Sequence, residues 1–171
     1  ELVAPEGYEE RLPAFVICHS HPMMGGDMNH QLVMSVVRTA SRDGLASLRF
    51  NFRGVGLSKG TFDNGSKEQH DVKSGLEFLR MIPGVDSGRL GIVGYSFGAD
   101  VILEGLKHYK FVHSFVLISP SACSVAKSKI RQDGRPKLFL IGQRDNSEDL
   151  RRSLRDVRDP MQFVELPGAD H

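Results

Sequence analysis

Cysteine is scarce in this sequence, with Cys18 and Cys123 the two in 171 residues. Two thiols do not make a disulfide framework, so a reducing compartment is expected. Cys18 lies inside the apolar run from Ala14 to Ser20 and reads as a buried free thiol. Long hydrophobic stretches are missing as well. No run approaches the ~20 apolar residues of a membrane helix, so no membrane partner is expected. The chain opens on Glu1 rather than Met, which leaves room for residues before it. No charged start followed by an apolar segment marks a signal peptide, and the cytoplasm is the expected location. An excess of one charge is also lacking: 22 Lys and Arg against 21 Asp and Glu leave a formal charge of +1. That balance argues against nucleic acid or an anionic surface as the main partner. The arginine-rich stretch from Arg144 to Arg158 is interleaved with acids and reads as a solvated helix face. Internal repeats and low-complexity segments are absent.

What is present is an ordinary globular composition, 40% hydrophobic and 25% charged, at a length that suits one domain, residues 1–171. Short apolar runs alternate with helical periodicity. Strands are expected over 14–20, 46–52, 89–95, 112–119, 137–142 and 161–166. Helices are expected over 28–42, from about 67 to 81, over 97–108 and over 147–157. This order predicts an α/β fold with a mainly parallel sheet of about six strands and helices on both faces. Right-handed crossovers are expected to set the helices alternately on the two sides. The longest connection without a clear pattern, Pro120 to Pro136, has room for a short helix but not for a lid domain. An exposed edge strand at either sheet end makes a homodimer a possible partner state.

The most specific local signal is Gly94-Tyr95-Ser96-Phe97-Gly98, set between a strand and a helix. A sharp strand-to-helix turn lifts a serine hydroxyl above the sheet, and nearby backbone leaves space only for glycine at 94 and 98. The helix that follows points its positive end at the hydroxyl, where negative charge develops in acyl transfer. The competing reading is a serine that simply caps the helix. By contrast, Arg53-Gly54-Val55-Gly56-Leu57-Ser58-Lys59-Gly60 lacks the order of a phosphate-binding loop and reads as a turn, with Arg53 paired to Glu68 or Asp71.

The elbow resembles that of α/β-hydrolases. The stretches His19-Ser20-His21-Pro22-Met23-Met24-Gly25-Gly26 and Phe50-Asn51-Phe52-Arg53-Gly54-Val55-Gly56-Leu57-Ser58 resemble a compact, lidless, dienelactone-hydrolase-like subgroup of serine esterases. The likeness runs from about Pro13 to His171. It implies serine esterase or related acyl hydrolase activity without a cofactor. It also implies residues beyond His171, since family members continue with an aromatic-rich segment and a last helix.

A catalytic triad in this architecture follows the order Ser, Asp or Glu, then His. Asp145, just after the strand over 137–142, matches the family's acid. Glu148 and Asp149 are rivals that read as first-turn helix acids. His171 is the sole histidine after the last strand and is the expected base, while His70, His108 and His113 read as surface or packing residues. The oxyanion hole is expected to use the Phe97 amide. By resemblance His21 supplies the second amide, with Met23 in reserve, because Pro22 has no N–H. Met23 and Tyr95 are the expected substrate-binding side chains. Together these residues predict hydrolysis of an ester or thioester of a small acyl group through an acyl-enzyme on Ser96. Two other readings stay open. One is a non-catalytic α/β-hydrolase-like binding module. The other is a metal-dependent hydrolase in which His19 and His21, with Asp27 and His30, hold the ion.

Overall fold

The computed structural model describes residues 1–7, 11–145 and 147–171. Seven strands form one sheet: β1 (Leu2–Val3), β2 (Leu12–Cys18), β3 (Ala46–Arg49), β4 (Val85–Tyr95), β5 (Ser114–Ile118), β6 (Lys137–Gly142) and β7 (Met161–Leu166). Five α-helices connect them: α1 (Gln31–Arg42), α2 (Glu68–Met81), α3 (Phe97–Glu104), α4 (Ala122–Lys127) and α5 (Ser147–Leu154). The strand order is β1-β3-β2-β4-β5-β6-β7, and every pairing is parallel except that of β1 with β3. The six expected strands are all present, and β1 adds a seventh. At two residues, β1 is too short to show any periodicity.

The helices cover both faces, but they do not alternate. Val33 and Val37 of α1 pack with Ile17, Val93, Tyr95 and Ile118 on one face. The buried side chains of α2, α3, α4 and α5 join the larger core on the other. The strand order explains the difference from expectation. The chain travels one way from β2 to β3, then reverses past β2 to β4 and keeps that direction to β7. With right-handed crossovers, one reversal of travel puts one helix on one face and the rest on the other. That reversal also leaves a crevice at the carboxyl ends of β2 and β4, where the connections depart in opposite directions.

Several element ends differ from the sequence periodicity, each for a local reason. Helix α1 starts at Gln31 because residues 27–30 turn instead: Asp27 accepts from the amides of Asn29 and His30, and Met28 donates to Asn51 Oδ1. Strand β3 stops at Arg49, and the Phe52 amide turns to the ring of His19. The helix expected over 97–108 breaks at Gly105, where the Tyr109 ring presses against the backbone, and it resumes as a 3-10 turn over Leu106–His108. The connection over 120–136 does hold a short helix, α4. No helix among the described residues is long and apolar enough to cross a membrane.

A candidate active site at the β2–β4 crevice

Ser96 follows β4 with φ 53° and ψ −117°, and its amide donates to the Ile118 carbonyl at 2.8 Å. That left-handed turn re-aims the chain from strand into α3 within one residue. Two close approaches make it possible. A Cβ on Gly94 would stand 2.7 Å from the Ala99 Cα, and one on Gly98 would stand 2.4 Å from the Cys18 carbonyl oxygen. Both distances are shorter than real Cβ atoms tolerate, so side chains are excluded there. The Ser96 hydroxyl makes no capping bond to α3. It lies instead 2.8 Å from His171 Nε2.

His171 arrives on the loop after β7. This loop is tied to the end of β6 by Arg144 N–H to the Ala169 carbonyl at 2.8 Å and by Gln143 N–H to the Leu166 carbonyl at 3.0 Å. The Tyr95 hydroxyl donates to the His171 carbonyl at 2.6 Å, fixing the loop end against the strand that carries Ser96. On the other side of the imidazole, Nδ1 stands 2.8 Å from Asp145 Oδ2. The Asp145 amide donates to Gly142, so the carboxylate is set by the end of β6. Three residues predicted from separate stretches thus form one chain of hydrogen bonds, Ser96 to His171 to Asp145. A carboxylate on Nδ1 holds Nε2 free to accept from the serine hydroxyl, the arrangement that activates a serine.

The loop after β2 closes the opposite side. His19 is buried, with Nδ1 donating to the Ser20 carbonyl at 2.7 Å and Nε2 accepting from the Phe52 amide at 3.1 Å. Burial lowers its pKa and keeps it neutral. Both ring nitrogens are therefore spent on tying loops together. Among the described residues no group of three or more His, Cys, Asp or Glu side chains could hold a metal ion, and the metal reading loses its first ligand. The His21 ring packs edge-on against Phe62 and Phe97 at 5.2 and 5.1 Å. The Met23 amide, held in reserve as an oxyanion donor, already donates to His21 Nδ1 at 3.2 Å. Among the described residues, no hydrogen bond engages the amides of His21 and Phe97.

The expected substrate-side residues separate. Met23 is 81% exposed and does not line the cavity that holds Ser96. Tyr95 is buried and spends its hydroxyl on the His171 backbone, so it serves to hold the imidazole in place. Arg53 pairs with Asp71 at 2.6 Å, whereas Glu68 is buried and accepts from the amides of Asp63 and Gly65. Two residues near the hydroxyl went unnoticed in the sequence. Asp100 and Ser119 line a cavity of about 250 Å³ together with Ser96, Asp145 and His171. Asp100 looks like an ordinary first-turn acid of α3, and the left-handed backbone of Ser119 (φ 47°) has no signature in residue type. A more apolar groove of about 420 Å³ along α1 holds no histidine, so chemistry and not volume decides which cavity is the site.

The comparisons with known proteins bear on the fold and the family. An α/β serine hydrolase homologue from Coxiella burnetii superposes with a TM-score of 0.83 at 30% identity, over 99% of this chain and 81% of that one. The chain belongs to the α/β serine hydrolase family. A lidless serine hydrolase from Xanthomonas campestris is similar to the hydrolase at 27% identity and a TM-score of 0.80, over 99% of this chain and 78% of that one. An uncharacterized protein of Rickettsia prowazekii is 29% identical over 93% of the chain and 71% of its own length. No protein-family model matches the chain.

Proposed function

We propose that the hydrolase cleaves esters or thioesters of small acyl groups, with Ser96 as nucleophile, His171 as general base and then acid, and Asp145 as the carboxylate that orients the imidazole. The hydrogen-bonded series Asp145–His171–Ser96, 2.8 Å at both links, carries this reading. The Ser96 oxygen attacks the substrate carbonyl carbon as its proton passes to His171 Nε2. The carbonyl π pair moves onto oxygen, and the amides of Phe97 and His21 receive that oxyanion. Each such donor contributes about 3 kcal/mol to the barrier reduction. The oxyanion then collapses, the bond to the leaving oxygen or sulfur breaks, and the imidazolium gives that atom its proton. Water enters, loses a proton to His171 and cleaves the acyl–serine ester by the same steps in reverse order. Asp145 stays ionised throughout and stabilises the imidazolium.

Among the described residues no lid-sized insertion separates the strands, which suits an open site and a small soluble substrate. A series of p-nitrophenyl esters of increasing acyl length tests the proposal. The wild type is expected to prefer short chains, and Ser96→Ala is expected to lower kcat by about 10⁴-fold or more. Turnover that survives in Ser96→Ala overturns the serine mechanism. Absence of turnover on every ester and thioester tried leaves a binding module in its place.

A further inference from the structure

We infer that the cavity bounded by Asp100, Ser119, Ser121 and His171 is the leaving-group subsite, and that it takes a neutral alcohol carrying further hydroxyl groups, such as glycerol. The inference rests on the serine-hydrolase reading above and adds the substrate class. Its first support is directional. The group that departs must receive its proton from His171 Nε2, so it sits against that ring, and the cavity of about 250 Å³ is the space His171 shares with Ser96. The rings of His21, Phe62 and Phe97 pack on one another, none of them lines that cavity, and they are assigned to the acyl part.

The second support is the chemistry of the lining. Asp100, Ser119 and Ser121 line the cavity, and among the described residues no lysine or arginine does. One oxygen of Asp100 accepts from the Ser121 amide at 2.9 Å, which fixes the carboxylate on the wall. Burial raises the pKa of this carboxyl above its ordinary value, outweighing the lowering effect of its bonds to Ser121 and Ser124. The Ser121 hydroxyl donates to Ser124 Oγ at 2.9 Å and caps the Ser124 amide, so the Asp100 carboxylate and the Ser119 hydroxyl are the groups that meet the hydroxyls of a polyol. A carboxylate or phosphate on the leaving group would meet Asp100 and Asp145 as like charges. A quaternary ammonium carries no N–H or O–H to give the Asp100 carboxylate or the Ser119 hydroxyl. Size points the same way, because the cavity falls below the roughly 300 Å³ at which drug-sized pockets begin.

The third support is backbone strain. Ser119 holds φ 47° at the end of β5, and its amide donates to the Leu140 carbonyl at 2.8 Å. Non-glycine residues in that region carry a conformational cost that is commonly retained at ligand sites. Here the turn sets Ser119 on the cavity wall beside Ser96.

The test uses one acyl group, butyrate, esterified to four alcohols: glycerol, ethanol, choline and glycolate. Wild-type kcat/KM is expected to be about tenfold higher for the glycerol ester than for the ethyl ester, and lowest for the glycolate ester. Asp100→Asn keeps an acceptor for the Ser121 amide but removes the charged acceptor from the cavity. It is expected to raise KM for the glycerol ester about tenfold while the ethyl ester KM changes far less. A merely structural Asp100 would shift both esters together. Equal rates for the glycerol and ethyl esters, or a preference for the choline or glycolate ester, overturn the subsite assignment even if the variant fails to fold. Fluorophosphonate labelling of the wild type separates the two levels. Labelled Ser96 without polyol preference ends this inference alone, and unlabelled Ser96 ends the hydrolase mechanism beneath it.

Discussion

Ser96, at φ 53° and ψ −117°, sits in a backbone region that L-residues occupy at a cost of roughly 1–3 kcal/mol. The surrounding contacts impose that cost: the amide is held by Ile118, and the flanking glycines admit the neighbouring chains. Alanine at 96 keeps the strain, whereas glycine releases it. Ser96→Gly is therefore expected to be about 1 kcal/mol more stable than Ser96→Ala in urea unfolding, with both variants inactive on esters. Equal stability would show that the turn is unstrained. His19 carries a different kind of stress. Its folded pKa is lowered from 6.5 by burial, so the unfolded chain binds the extra proton first as pH falls. Its contribution is fully present above about pH 6.5 and is lost as pH drops from there through the lower folded value. The melting temperature of the wild type is expected to fall more between pH 7.5 and 5.5 than that of His19→Asn, and parallel curves would contradict this. That Ser96, Asp145 and His171 meet was legible in the sequence, because each follows a strand at a position where strand ends converge. Asp100, Ser119 and the locking hydroxyl of Tyr95 were not, since side-chain direction around a cavity leaves no periodic trace.

At the scale of elements, His171, the proposed base, is held by a loop whose place depends on the end of β6. A Cβ on Gly142 would stand 2.3 Å from the Asp170 carbonyl oxygen and 2.6 Å from that of Ala169. Those are backbone atoms that cannot rotate aside, so the loop itself must move. Gly142→Ala is expected to lower kcat by about 100-fold, since an error of about 1 Å in placing a catalytic group has that effect. The far-ultraviolet circular dichroism is expected to persist, because the displaced segment lies outside the core. Full activity in this variant would mean that His171 reaches Ser96 from a different loop position. Element types were readable from periodicity, and their ends were not. Asp27 and Asn51 delay α1, and His19 captures Phe52 after β3, each through a side-chain bond, while at Gly105, where α3 ends, a side chain would strike the Tyr109 ring.

For the molecule as a whole, one reversal in the path through the sheet does two things. It gathers α2 to α5 on one face, and it opens the crevice where β2 delivers the His21 loop and β4 delivers Ser96. Alternation of strands and helices announced a parallel sheet, but strand order is a matter of long-range pairing. Neither the distribution of helices nor the two-residue β1 was legible from periodicity for that reason. In the proposed mechanism one hydroxyl among many serines, that of Ser96 in the crevice, is unusually nucleophilic, and that property is directly measurable. Treatment with a fluorophosphonate followed by peptide mass spectrometry is expected to find a single adduct, on Ser96, and none in His171→Ala. An unmodified Ser96, or an adduct carried by another residue, would contradict the account.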